Sequence, residues 1–277
     1  MWLILTLIPS AFATWSIVAA DPETEQIGGA GTSCVGDLDV AAIYGGAPGV
    51  GVVHAQARLN FAGRDEAVRR LGEGESPLAI VQAITAEDFD PDAPRRQYGV
   101  VDLRGRSAAY TGSSNGDWAG DQQGSADGIV YSAQGNILTG EGVVSRTAAA
   151  FEDSAACDLP ERLLTALTAG SAASEGDSRC TDRGVPSDSA YLRVQGADGS
   201  MVVDLSVTGT GNEDPLVALR SAFDAWRVNN PCPTPEPEPQ SEPTDEATGA
   251  CGCASAPGSG LFLLCISGLM LARRRRT

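Results

Sequence analysis

Histidine is almost missing from this chain: His54 is the single one among 277 residues. A Ser-His-Asp relay needs an imidazole to carry a proton between nucleophile and leaving group, so everything would rest on His54. That residue sits inside the apolar run GVVHAQA, where a structural role is the better reading, and no G-x-S-x-G elbow accompanies it. The seven cysteines do not cluster with histidine at the spacing of a zinc site. Positive charge is scarce as well. A formal net charge of -17 excludes nucleic acid as a partner, because phosphate contacts need a basic surface that releases counterions. The acidic run EDFDPDAP opens like a calcium loop, but Ala93 stands where glycine is needed and Gly99 where a bidentate Glu is needed. It reads as a solvated loop. Gly28, Gly29 and Gly31 do not make G-x-G-x-x-G ahead of a helix, so a dinucleotide site has no support. No metal or cofactor is expected.

What is present divides into a core domain and two specialised ends. With 42% hydrophobic residues the chain can bury one sizeable core. Residues 1–13, MWLILTLIPSAFA, combine an apolar run, Pro9 and the small-x-small triplet Ala11-Phe12-Ala13, the pattern of a secretory signal peptide. The segment is short and carries no Lys or Arg before the apolar run, which fits a start codon placed downstream of the true one. The alternative is a buried first strand. After the domain, residues 14–230, comes a Pro/Glu-rich spacer at 231–250, extended by self-repulsion. Residues 251–277 hold a Cys-Gly-Cys, a mostly apolar stretch from Ala254 to Ala272 and the cluster Arg273 to Arg276. The stretch is barely long enough to cross a bilayer, and the arginines would stay cytoplasmic, leaving the domain outside. This end resembles the myxobacterial C-terminal sorting tag, which implies cell-surface sorting by dedicated machinery and processing near Cys251 or Cys253.

Export makes the cysteines candidates for disulfides. Cys34, Cys157, Cys180 and Cys232 form an even set with three possible pairings. The favoured one joins Cys157 to Cys180 around the polar segment TAGSAASEGDSRC, a closure worth roughly 3 kcal/mol. Cys34 with Cys232 follows by elimination.

Along the domain, TWSIVAAD and QIGGAGTS read as a hairpin across Asp21-Pro22-Glu23-Thr24, with Thr14 at its head. GVGVVHAQARLN is a third strand. Helical periodicity covers residues 62–71 and, after Ser76-Pro77, residues 78–84. YGVVDLRGRSAAYTG is a second hairpin; a Gly-rich loop, the strand GIVYSAQGN and helices at 141–151 and 160–169 follow. SAYLRVQ and MVVDLSV make a third hairpin, and residues 215–226 a last helix. Hairpins grouped apart from helices predict an α+β sandwich of two antiparallel sheets with helices outside.

One chemistry survives. Cleavage after Ala13 would make Thr14 the amino terminus, and a terminal threonine carries a hydroxyl nucleophile together with its own base, the α-amine. That amine titrates near 7.7 to 8 when unperturbed, so a useful neutral fraction exists near pH 7. The segments TWSIVAADPETEQIGGAGTS, AQARLN, QYGVVDLRGRSAAYTG, SAQGNILTG, SAYLRV and EDPLVALRSAFDAW together resemble a bacterial family of N-terminal-nucleophile-hydrolase-like proteins, domain of unknown function 1028, over residues 14–228. The resemblance implies a four-layer αββα sandwich and hydrolysis of an amide bond. It also implies roles. Asn136, in SAQGNIL, would donate to the oxyanion, the alternative being a cap on the following turn. Ser33 would relay a proton or orient the amine, Asp177 would hold the ammonium form of Thr14, and Ser189 is a further helper. Gln56 and Asn60 match family positions and otherwise satisfy backbone groups. Cys180, a short insertion before Ser189, and Cys34 depart from the family pattern and bear on the electrostatics of the site.

The expectation is an exported, surface-anchored N-terminal-threonine hydrolase acting on a peptide, acyl-amide or cell-wall fragment. The rival from another class is a surface binding or scaffold domain of the same fold.

Overall fold

The computed structural model describes residues 13–233. The leader at 1–12, most of the Pro/Glu-rich spacer and the apolar tail with its arginines lie outside the described residues. Among those described, no helix is long and apolar enough to cross a membrane.

The elements are β1 (Thr14–Asp21), β2 (Gln26–Ser33), β3 (Tyr44–Ala47), β4 (Gly51–Ala57), α1 (Phe61–Gly72), α2 (Pro77–Ile84), β5 (Arg96–Asp102), β6 (Ser107–Thr111), β7 (Trp118–Ala126) and β8 (Ile129–Leu138). They continue with α3 (Gly142–Glu152), α4 (Leu159–Gly170), α5 (Ser178–Thr181), β9 (Ser189–Gln195), β10 (Met201–Val207) and α6 (Pro215–Arg227). One sheet has the order β10-β9-β2-β1-β8-β7, the other β3-β4-β5-β6. Every pairing is antiparallel. Three apolar clusters stack in sequence: α3, α4 and α6 on the large sheet, the large sheet on the small one, and the small sheet on α1 and α2. The molecule is an α+β, four-layer αββα sandwich.

Local chemistry explains the boundaries. Asp21 Oδ1 accepts the backbone N–H of Glu23 at 2.9 Å and of Thr24 at 3.4 Å, closing the first hairpin as an Asx-type turn. Helices α2, α4 and α6 begin with a capping Ser76, Asp158 or Asp214 and a proline in the first turn, where its missing N–H costs nothing. Asn60 caps α1 by accepting from Gly63 N at 3.2 Å, and it also donates to Asp90 Oδ2 at 2.8 Å.

Three expectations are corrected. The disulfides are Cys34–Cys180 and Cys157–Cys232, not Cys157–Cys180 and Cys34–Cys232. Closeness in sequence misleads here, because α5 carries Cys180 back to the end of β2 while α6 returns Cys232 to the start of α4. The Gly-rich loop contains a nine-residue edge strand, β7. None of its side chains is fully buried, so it lacks the apolar alternation that betrays a strand. The EDFDPDAP segment is not wholly solvated: Asp90 is buried and paired with Arg96 at 2.8 Å.

Candidate active site

The register of the large sheet assembles four predicted site residues into one row. Asn136 lies opposite Thr14, Thr14 opposite Ser33, and Ser33 opposite Ser189. Directly opposed residues of antiparallel strands share a face, with Cβ atoms about 5 Å apart. All four are fully buried. Trp15 and Ile17 belong to the helix-side core, so the alternation of β1 turns Thr14 and Ser16 into the layer between the sheets. Asp177 enters from the loop before α5, forming an isolated bridge with Leu138 two residues past Asn136.

The contacts differ in directness. Thr14 Oγ1 donates to Ser33 Oγ at 3.2 Å, and Ser33 Oγ donates to the Ala13 carbonyl. Asn136 Nδ2 donates to Gln97 Oε1 at 3.0 Å and reaches the Thr14 carbonyl at 3.5 Å. Its Oδ1 is buried with no hydrogen-bond partner among the described residues. Asn136 does not cap the following turn; it is an interior residue of β8. Asp177 Oδ2 accepts from Cys34 N at 2.7 Å and from Arg179 Nη2 at 2.8 Å. Burial raises the Asp177 carboxyl above its ordinary range, opposed by its bonds to Arg179 and Cys34. Ser189 Oγ donates to the Leu38 carbonyl at 3.0 Å, which ties down the loop after β2.

Arg179 was not among the residues singled out from the sequence. Its Nη2 lies 3.2 Å from the Ala13 carbonyl oxygen, so the peptide bond before Thr14 is held by one neutral and one cationic donor. The signal was its position two residues after Asp177 in the same short loop. Gln97 was missed too, although it faces Gln56 in the β4–β5 register.

Behind the row runs a directed chain of hydrogen bonds. Tyr191, whose hydroxyl burial keeps protonated, donates to His54 Nε2. Ser16 Oγ spends its proton on Gln56 Oε1 at 2.6 Å, so it accepts from His54 Nδ1 at 2.8 Å, which assigns the ring proton to Nδ1. Gln56 Nε2 passes the chain to Gln97 Oε1 at 2.8 Å and to the Thr14 carbonyl at 3.3 Å. Burial lowers the His54 pKa from 6.5 to about 3, so the ring is neutral with both nitrogens used. Glycine makes room for this layer: a Cβ at Gly29 would collide with the imidazole, and one at Gly99 with the Gln134 carboxamide.

A cavity of about 490 Å³ opens at Thr14, lined there by Ser33 and Gln56 and further out by Leu38, Val40, Leu59 and Phe61. Ligand pockets are commonly of this size.

Two antiparallel sheets between helical layers, with a threonine heading a central strand beneath a pocket, define the class as an αββα sandwich with its candidate site at one end of the inter-sheet layer. Residues 14–219 match the model of the family of unknown function DUF1028, and the chain belongs to that family. The crystal structure of protein SPO2555 from Silicibacter pomeroyi, also described as DUF1028, is similar at a TM-score of 0.66 and 28% identity, covering 78% of this chain and 86% of that one. No curated protein matches.

Proposed function

We propose that this protein is an exported N-terminal-threonine hydrolase of amide bonds. The observation that carries the reading is the position of Thr14: it heads a central strand, begins the family match, borders the pocket, and lies in one row with Ser33 and Asn136. Removal of residues 1–13 leaves its α-amine as the base. His54 is unsuited to that task, since Tyr191 and Ser16 use both ring nitrogens.

In the reaction, Thr14 Oγ1 attacks the substrate carbonyl and its proton passes to the α-amine, with Ser33 as the relay 3.2 Å away. A C–O bond forms, the C–N bond breaks, and the ammonium returns the proton to the departing amine. Water then adds to the ester and gives a proton to the amine; the acyl C–Oγ1 bond breaks, the ammonium returns that proton to Oγ1, and the acid leaves. Asn136 Nδ2, which is only loosely engaged with the Thr14 carbonyl at 3.5 Å, supplies an N–H to the oxyanion. Asp177 acts through Arg179, and Ser189 through the Leu38 loop.

Two disulfides, one within the domain and one from the domain to its C-terminal edge, favour an oxidising compartment. In this reading residues 1–13 direct export, and residues 251–277 tether the domain to the membrane and engage sorting machinery.

The chain contains no lysine, so a bared Thr14 supplies its single alkyl amine. The purified processed chain should have an intact mass that begins at Thr14 and should take up one equivalent of an amine-directed acylating reagent. A different terminus removes the hydrolase reading. With the right terminus, a β-lactone should esterify wild type but not Thr14→Ala; equal modification of both would favour the non-catalytic binding domain.

A further inference from the structure

We infer that the pocket beside Thr14 receives the acyl half of the substrate and that this acyl group is uncharged hydrocarbon. The inference rests on the N-terminal-threonine reading and adds the substrate class to it.

Its basis is the lining. Polar side chains border the pocket where Thr14, Ser33 and Gln56 meet, and the wall beyond is formed by Val35, Leu38, Val40, Ile43, Leu59 and Phe61. Leu38 and Phe61 are more than half exposed, so the hydrocarbon surface continues to the mouth. Asp39 is the one charged residue of the lining; its Oδ1 accepts from Ala41 N at 2.9 Å and from Ser206 Oγ at 3.2 Å. Its negative charge at the rim repels an acid. Arg64, stacked 4.8 Å from the Phe61 ring centre, is committed to Asp65 at 2.8 Å and to the Ala42 carbonyl at 2.7 Å. A carboxylate entering here would lose water and meet no dedicated partner.

The acyl side follows from the order of events. Once Thr14 is esterified the leaving amine must reach solvent, whereas the acyl group stays until water arrives. A walled cavity that includes the nucleophile therefore holds the part that remains.

The test uses β-lactones with straight alkyl substituents on the carbon next to the carbonyl. Thr14 Oγ1 forms an ester to that carbonyl, the ring C–O bond breaks, and the proton from Oγ1 ends on the released alkoxide, so the protein gains the whole lactone mass. The rate constant for modifying the processed chain should rise about fourfold per added methylene until the pocket is filled. An ω-carboxyl on the same chain should slow it at least about tenfold, and Asp39→Asn should recover part of that loss. Ala42→Phe, which narrows the pocket from a half-buried position, should lower the long-to-short rate ratio about tenfold. Modification of Thr14 at equal rates for every length, or faster with the carboxyl, overturns the acyl inference and leaves the nucleophile intact. Absence of modification at every length overturns the nucleophile itself. Asp39→Asn lies on the exposed rim and keeps the charge arm decisive if Ala42→Phe fails to fold.

Discussion

The two faces of β1 are built on opposite rules. Toward the helices the strand presents Trp15, Ile17 and Ala19, packed among Leu163, Leu164, Leu167 and Phe151. Toward the other sheet it presents Thr14 and Ser16 before returning to Val18 and Ala20. The hydrocarbon face is held by area, and any set of side chains of the right volume would serve it. The polar end is held by direction, because each buried hydroxyl and carboxamide needs a partner at a defined angle. Only the second face fixes the position of one particular atom, Thr14 Oγ1. Volume therefore decides the helix side of the strand, and direction decides the polar end of the other side.

A pair of substitutions separates the two faces most strongly. Thr14→Ala should lower amide turnover by about 10⁴-fold or more, the scale of a lost nucleophile, while moving the melting temperature little. Leu163→Ala should do the reverse: about 3 kcal/mol of stability is lost to cavity and transfer terms, with kcat per folded molecule unchanged. Denaturant melts beside steady-state rates on both variants would show it. A Leu163→Ala protein as inactive as Thr14→Ala would mean that the two faces are not separable.

Next in size comes acid. The unfolded His54 titrates near 6.5 and the folded one near 3, so between those values the unfolded chain holds the extra proton and stability falls as pH falls. Asp177 acts in the opposite sense: its raised folded pKa means that its contribution declines as pH rises above the ordinary carboxylate range. Urea midpoints measured from pH 7 to pH 4 should fall steeply in wild type and less steeply in His54→Gln. Parallel slopes would place the acid sensitivity elsewhere than in the inter-sheet layer.

The hydrocarbon face was the more legible of the two. Alternation in TWSIVAAD and the Asp-Pro turn mark the first hairpin, and Ser76-Pro77 and Asp214-Pro215 mark helix starts, because caps and fixed φ angles are local physics. Strand β3, YGGA, and strand β7, WAGDQQGSA, escaped, since two glycines or a solvated edge leave the ladder to the backbone alone. Thr14 was reached from the cleavage pattern before it and the chemistry of a terminal threonine, and Ser33, Asn136 and Ser189 through family resemblance. That they form one row depends on three registers, which no single segment encodes. Arg179 and the true partner of Cys34 shared one cause: both lie in the short turn at α5, whose fold is fixed by Asp177 and by contacts with β2 and not by its own periodicity.

The smallest effect probes the boundary between the two regimes. Arg179 Nη2 is 3.2 Å from the Ala13 oxygen, and standard bond lengths then put the guanidinium within roughly 6 Å of the Thr14 nitrogen. Asp177 fixes it there through Nε and Nη2. Beside a bared Thr14 amine such a cation would disfavour a second positive charge, and the Asp177 carboxylate would favour it. Replacing Arg179 with Gln removes that cation and uncovers a carboxylate, both of which favour the ammonium, so the acidic limb of kcat/KM should move up by roughly one pH unit. Asp177→Asn removes the anion and leaves the cation, so the limb should move down. Because the chain has no lysine, acylation of the amine as a function of pH reads the same pKa without any substrate. Opposite shifts in the two variants, matched between titration and kinetics, would tie the loop before α5 to proton transfer at Thr14; identical curves in both would reduce that loop to a fastening for β2.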